Sequence, residues 1–124
     1  MMKNLLLVGC GSFVGGVLRY LLTMACSGIT MLTYSMGTAI VNIVGCFAFG
    51  LIYGLLERFG VLQGSWGLLL MVGLCGGFTT FSSFSNEMLT MLNGGNFLAF
   101  LGYAALSLLG GLAALYLARH LALL

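Results

Sequence analysis

Four long apolar runs dominate the chain: Leu5–Met24, Met36–Leu56, Leu68–Leu92 and Phe97–Leu117. Each is about 20 residues or more, and at 1.5 Å per residue a helix of that length crosses the ~30 Å hydrocarbon layer of a bilayer. Only 5% of the 124 residues are charged and 61% are hydrophobic, whereas a soluble domain carries about 25% charged residues. Too little polar surface remains to cover a globule in water. The expected fold is an all-α membrane protein of four transmembrane helices, about 4–26, 36–57, 67–92 and 96–120, forming one domain over 1–124. There is no proline, so any break in a helix falls to glycine.

Several other readings of the same letters fail. MMKNLLLVGC looks like a lipoprotein signal with its basic start and small residue before Cys10, but three further spans follow it. LLLVGCGSFVG imitates a dinucleotide-binding loop, yet its glycines fall at 9, 11 and 15, and no acidic residue occurs before Glu57. Gly11 and Gly15, spaced as GxxxG, instead suit close packing of a second helix. The cysteines at 10, 26, 46 and 75 form no CxxC pair and have no histidine near them, so zinc and redox motifs are absent and buried small apolar roles are expected. The sole histidine, His120, lies at the C-terminal edge with no evident nucleophile beside it, which argues against an enzyme.

Four spans put both termini and the 57–65 loop on one side, gathering Lys3, Arg58 and Arg119 against Glu57. The loops at 27–35 and 93–96 carry no charge. The positive-inside rule places the termini in the cytoplasm, but Arg19, nearer the other end of its helix, erodes the bias. So weak a bias leaves two arrangements open, a uniform N-in and C-in topology and insertion both ways, the second giving an antiparallel two-fold dimer.

Against this apolar background, residues 76–87 read GGFTTFSSFSNE. Polar groups within a membrane are costly and should face protein, water or a substrate. Counting inward at 1.5 Å per residue puts Phe81 and Phe84 roughly 12–17 Å from the end of the third span, and Asn42, Tyr103 and Ser107 roughly 9–15 Å from theirs. They share a stratum. Gly73, Gly76 and Gly77 precede two threonines there; weak helix formers can unwind the third helix at mid-membrane and free carbonyls for a small cation, or the GxxxG at 73 and 77 can serve helix packing. A phenyl ring has a positive edge, and hydroxyls at 79, 80, 82, 83 and 85 with the Asn42 amide add donors. Ring edges plus neutral donors suit an anion that must also be released. A Phe pair at i, i+3 also fits plain packing.

GGFTTFSSFSNE, with GTAIVNIVG at 37–45 and GGVLRY at 15–20, closely resembles the Fluc (CrcB-type) family of microbial fluoride channels, over all four spans. The resemblance implies a dual-topology antiparallel homodimer in the cell inner membrane, with two pores that let cytoplasmic fluoride leave passively. It also implies a sodium ion at the dimer axis, held by main-chain carbonyls of Gly76 and Thr79. Phe81 and Phe84 then line the fluoride path beside Asn42, with Ser82 and Ser83 as hydroxyls there and Tyr103 and Ser107 as a polar track on the fourth helix. One turn on, where the family commonly carries a hydroxyl, stands Gly111. Arg19 and Thr38 fall in an aqueous vestibule, Arg19 alternatively snorkelling or partnering Glu87. The main rival is a small proton-coupled multidrug exporter, which needs a carboxylate, usually on the first helix; here that helix carries Arg19, and Glu87 is the only candidate acid. A noncatalytic membrane assembly factor also fits the packing glycines, but it gives the clustered hydroxyls no task.

Overall fold

The computed structural model describes residues 1–31 and 34–124. Helix α1 (Met2–Ala25) leads through a short hairpin, β1 (Thr30–Met31) and β2 (Tyr34–Ser35), into α2 (Gly37–Arg58). The third span is built from α3 (Ser65–Gly67), a π-helical stretch over Leu68–Cys75, α4 (Gly76–Phe78) and α5 (Phe81–Asn93); α6 (Phe97–Leu123) is the fourth. Four helical segments are long and apolar enough to cross a membrane. The chain is therefore mostly helical as expected, with one addition. In the hairpin Thr30 pairs with Ser35 and Met31 with Tyr34, and the Met36 N–H donates to Ile29 O at 2.8 Å; residues 32 and 33 lie outside the described residues.

The outside of the molecule is oily, and glycine lines the seams between its helices. Phe13, Tyr20, Leu108, Leu109 and Leu112 are exposed, which suits a surface whose solvent is lipid. With no hydrophobic drive between helices in lipid, association depends on close backbone approach, and small residues provide it. A methyl on Gly77 would lie 2.6 Å from Ser12 O, and one on Gly73 would lie 3.0 Å from Gly11 Cα. Gly11 and Gly15 face Leu74 backbone from the other side of this seam. A second seam joins α2 to α6, where a methyl on Gly50 would lie 2.5 Å from Leu115 O and one on Gly54 2.6 Å from Ala122 Cβ.

Contact order along the seams gives the directions. Gly11 meets Leu69 and Gly73 while Gly15 meets Leu74 and Phe78, so the first and third spans run parallel. Gly50 meets Leu115 and Gly54 meets Arg119 and Ala122, so the second and fourth do too. This is the alternation that four successive crossings require. At the shared end of α2 and α6, Arg119 reaches Glu57 at 3.9 Å and lies 4.1 Å from the Tyr53 ring centroid. Across the bundle, Met36, Ala39, Phe84, Met91, Ala99 and Tyr103 form a buried cluster.

The third span leaves helical geometry at two residues. Thr79 has φ −85 and ψ 156, and Thr80 φ −147 and ψ 119. Both are β-branched residues, which take extended backbone readily. Gly73 and Gly77 before them stay helical and serve the seam, whereas Gly76 meets only its own segment. Thr80 then caps α5 by accepting from the Ser83 N–H, and Asn96 caps α6 in the same way through Ala99. Of the four cysteines expected to be buried only Cys75 is; Cys26 and Cys46 are half-buried, and Cys10 is exposed because the neighbouring Gly11 carries the contact and turns Cys10 outward.

Candidate functional site

The break is held by side chains from two other helices. Asn42 on α2 lies opposite Thr80: its Oδ1 accepts the Thr80 N–H and its Nδ2 donates to Thr80 O, each at 2.8 Å. Arg19 on α1 donates through Nε to Gly77 O at 3.2 Å. Thr79 bonds back along its own helix, its Oγ1 and its N–H both donating to Cys75 O at 3.0 Å. In an unbroken α-helix the Thr80 N–H would go to Gly76 O and the Ser83 N–H to Thr79 O. Here the first goes to Asn42 and the second to the Thr80 hydroxyl at 3.3 Å. The carbonyls of Gly76 and Thr79 are thus left by their helical donors, while Gly77 O is covered by Arg19. Among the described residues no group of three or more His, Cys, Asp or Glu could hold a metal, so freed carbonyl oxygens are the hard ligands on offer.

Beside the break lies a cleft of about 290 Å³ between α2, α5 and α6, lined by Asn42, Thr80, Phe81, Phe84 and Ser107 among others. Phe81 is 76% exposed and Phe84 only 5%; their ring centroids are 6.0 Å apart with planes tilted by 53°. One ring therefore borders open space and the other is fixed in the core, where it stacks on Tyr103 at 5.3 Å. Ser107 Oγ is buried and has no hydrogen-bond partner among the described residues. An unpaired buried hydroxyl costs about 1–3 kcal/mol, a cost that a water or ligand in the cleft would relieve. Asn42 has a second amide proton beyond the one given to Thr80. No basic residue is among those lining the cleft.

A second cavity of about 270 Å³ adjoins the first, sharing Cys46 and Thr79 and adding Gly76 and Cys75. Cys46 Sγ stands 3.1 Å from where a Gly111 methyl would be. The sulfur occupies the space one turn beyond Ser107 that a larger residue at 111 would need.

The structure does not collect every residue of the sequence reading into the cleft. Asn42, Phe81, Phe84 and Ser107 meet there, with Gly76 and Thr79 at the break beside it. Tyr103 is fully buried behind Phe84, and its hydroxyl donates to Glu87 Oε2. Thr38 donates to Glu87 Oε1 at 2.7 Å. Glu87 is therefore held by two hydroxyls from α2 and α6, not by Arg19, whose Nε is turned to Gly77 O. Ser82 is exposed, within 3.4 Å of the Thr80 hydroxyl. Ser83 meets Thr80 through its N–H. Sequence reasoning missed Thr80 as the residue the break turns on; the signal was a threonine three residues before Ser83, the spacing of an N-cap.

A family model described as CrcB-like protein, Camphor Resistance (CrcB), matches residues 6–119. The chain is similar to a protein of Leptospira interrogans named Fluoride-specific ion channel FluC, 41% identical over 110 residues that cover 89% of this chain and 87% of the relative. It is similar to proteins of the same name from Phocaeicola vulgatus, 45% identical over 102 residues (82% and 84% of the two chains), and Prosthecochloris aestuarii, 42% identical over 117 residues (94% and 91%).

Proposed function

The chain belongs to the CrcB-like family, and from that premise we propose that it is a fluoride-selective passive channel, multi-pass in the cell inner membrane, that lets cytoplasmic fluoride escape. It is a channel and not an enzyme. The observation that carries the reading is the cleft at the break: two tilted phenyl rings, a spare amide proton on Asn42 and an unpartnered Ser107 hydroxyl, with no fixed positive charge.

Fluoride is small and strongly hydrated, so a path must replace its water shell with donors. Hydroxyl and amide protons do this directly, and the positive edges of Phe81 and Phe84 add attraction without a full charge. A lysine in their place would bind too tightly for release. Ser82 and Ser83 supply hydroxyls at the open end of the path, and Tyr103 backs Phe84. Arg19 borders the vestibule with the guanidinium nitrogens left free by its bond to Gly77 O, whereas Thr38 is buried and gives its hydroxyl proton to Glu87.

The driving force needs no coupling machinery. Hydrogen fluoride crosses lipid uncharged and dissociates at cytoplasmic pH, so the anion accumulates inside. A negative interior then expels it at about 2.3 kcal/mol per charge per 100 mV. Selectivity is the protein's whole task.

The assembly is an antiparallel homodimer inserted in both orientations, supported by the small net charge of +2 and by the wide apolar surface of α1 and α6. It brings two breaks together at the dimer axis, where Gly76 and Thr79 carbonyls from each copy hold one sodium ion. The diversion of both their helical donors fits such a site. When bound, the sodium supplies positive charge that offsets the facing carbonyl dipoles. The drug-exporter alternative needs a titrating carboxylate open to substrate, whereas both Glu87 oxygens are engaged by hydroxyls.

Proteoliposomes loaded with fluoride test the function. Under a potassium-diffusion potential the protein is expected to release fluoride at least 100-fold faster than chloride, with the same rate whether or not a pH gradient is present. Proton movement dependent on a cationic drug would replace this reading with the exporter. Within the cleft, Gly111→Ser is expected to lower fluoride efflux several-fold because the new side chain meets Cys46 Sγ. Adding Cys46→Ala to the same chain should restore most of the rate; no restoration would show that the sulfur is not the obstacle.

A further inference from the structure

We infer that Asn42 and Arg19 are positioning residues for the cation site at the break, Asn42 by keeping Thr80 off the Gly76 carbonyl and Arg19 by withdrawing the Gly77 carbonyl. This rests on the reading of Gly76 and Thr79 as sodium ligands.

The argument is an accounting of donors. A break at Thr79 and Thr80 separates the carbonyls of Gly76, Gly77, Phe78 and Thr79 from the N–H groups four residues on. In a membrane each such group must find another partner. The two bonds between the Asn42 amide and Thr80 reproduce the pairing of neighbouring strands, one donor and one acceptor each way at 2.8 Å. They fix Thr80 in its extended conformation. Without them the Thr80 N–H can return to its helical acceptor, Gly76 O, which re-forms the helix and consumes a cation ligand.

Arg19 acts on the next carbonyl along. Gly77 O points toward α1, where the seam brings backbones within contact distance, and the Arg19 Nε covers it at 3.2 Å. The residue thereby removes Gly77 from the oxygens released by the break, leaving those of Gly76, Phe78 and Thr79. A full positive charge beside a cation site disfavours the cation, so the position of Arg19 makes sense as a carbonyl partner on the α1 side of the helix. Asn42 also lines the anion cleft, which places one side chain on the boundary between the two ions.

The test reads sodium directly. The full-length wild-type protein, Asn42→Ala and Arg19→Gln are purified as dimers, and sodium binding is followed by ²³Na relaxation and by the sodium dependence of the unfolding temperature, with choline as the replacement cation. Fluoride efflux is measured in parallel. We expect half-saturating sodium to rise at least tenfold in Asn42→Ala, and to fall in Arg19→Gln, which takes the positive charge away from the site and loosens the hold on Gly77 O. Wild-type sodium dependence with no change in either variant overturns this inference and leaves the sodium site standing. A shift in one variant alone removes the role assigned to the other residue. Absence of sodium dependence in the wild type removes both the sodium ligands and this inference, while the fluoride efflux of the wild type still decides the channel reading. If Asn42→Ala does not yield a dimer, Asn42→Ser, which keeps a hydroxyl for Thr80, is expected to bind sodium more weakly than wild type, and equal binding counts against the brace.

Discussion

Phe81→Ile is expected to cut fluoride efflux from proteoliposomes by at least tenfold, which corresponds to about 1.4 kcal/mol on the rate-limiting barrier. Isoleucine is apolar and branched, so it lines the cleft but has no ring quadrupole. The position makes the result interpretable. Phe81 is 76% exposed, so the substitution removes little packing, whereas Phe84 is 5% exposed and stacked on Tyr103. A change at Phe84 would mix lost stability with lost conduction. Phe81→Tyr, which keeps a ring edge at the same place, is expected to retain most of the rate. Elution of the dimer from a sizing column should be the same for all three proteins. Efflux by Phe81→Ile equal to wild type would take ring edges out of the mechanism and leave the amide and hydroxyl donors to account for it alone.

The contrast between those two rings also shows how much the sequence could say. Phe81 and Phe84 sit three apart on α5 and so share a face, which periodicity reveals. That one ring would border open space and the other be locked under Tyr103 depends on α6, nineteen residues further along between Phe84 and Tyr103. The four spans were legible because length and apolarity are local properties. The glycine seam was legible for a similar reason, since Gly11, Gly15, Gly73 and Gly77 each mark a face by spacing alone. The break itself was only half legible. Glycines announce weak helix in their neighbourhood, but the residues that leave the helix are Thr79 and Thr80, and what holds them is Asn42, whose pairing spans 38 residues.

Hydroxyl counting misleads for a related reason. Thr38, Tyr103 and Thr79 all look like donors for an anion when read one at a time, yet each hydroxyl has one proton to give. In the structure Thr38 and Tyr103 give theirs to Glu87, and Thr79 gives its own to Cys75 O. Among the described residues Ser107 carries the buried hydroxyl left without a partner. The distinction lies in contacts between helices, and no single strip of sequence contains it. Glu87 was likewise visible as an isolated acid near a helix end, but not as the acceptor that ties α2, α5 and α6 together.

Gly77→Ala is expected to abolish assembly of the folded protein. The added carbon would lie 2.6 Å from Ser12 O and 2.9 Å from Ser12 Cα. Both are backbone atoms, so no side-chain rotation relieves the contact, and α1 must move away from the third span as a unit. That movement opens the same seam at Gly11, Gly15 and Gly73 and withdraws Arg19 from Gly77 O. Overpacking in a tight interior costs about 1–3 kcal/mol and more when backbone must shift, and in lipid the loss of close approach removes the dispersion contacts that hold the helices together. Expression in membranes followed by sizing in mild detergent should show aggregate or no recoverable protein. Gly16→Ala is the matched control: a methyl there meets nothing within 4 Å, and its helix propensity is better than that of glycine by up to ~1 kcal/mol. It should elute as wild type and conduct fluoride. If Gly77→Ala behaved as well as Gly16→Ala, the seam would have slack, and the packing of the first span against the third could not depend on bare backbone.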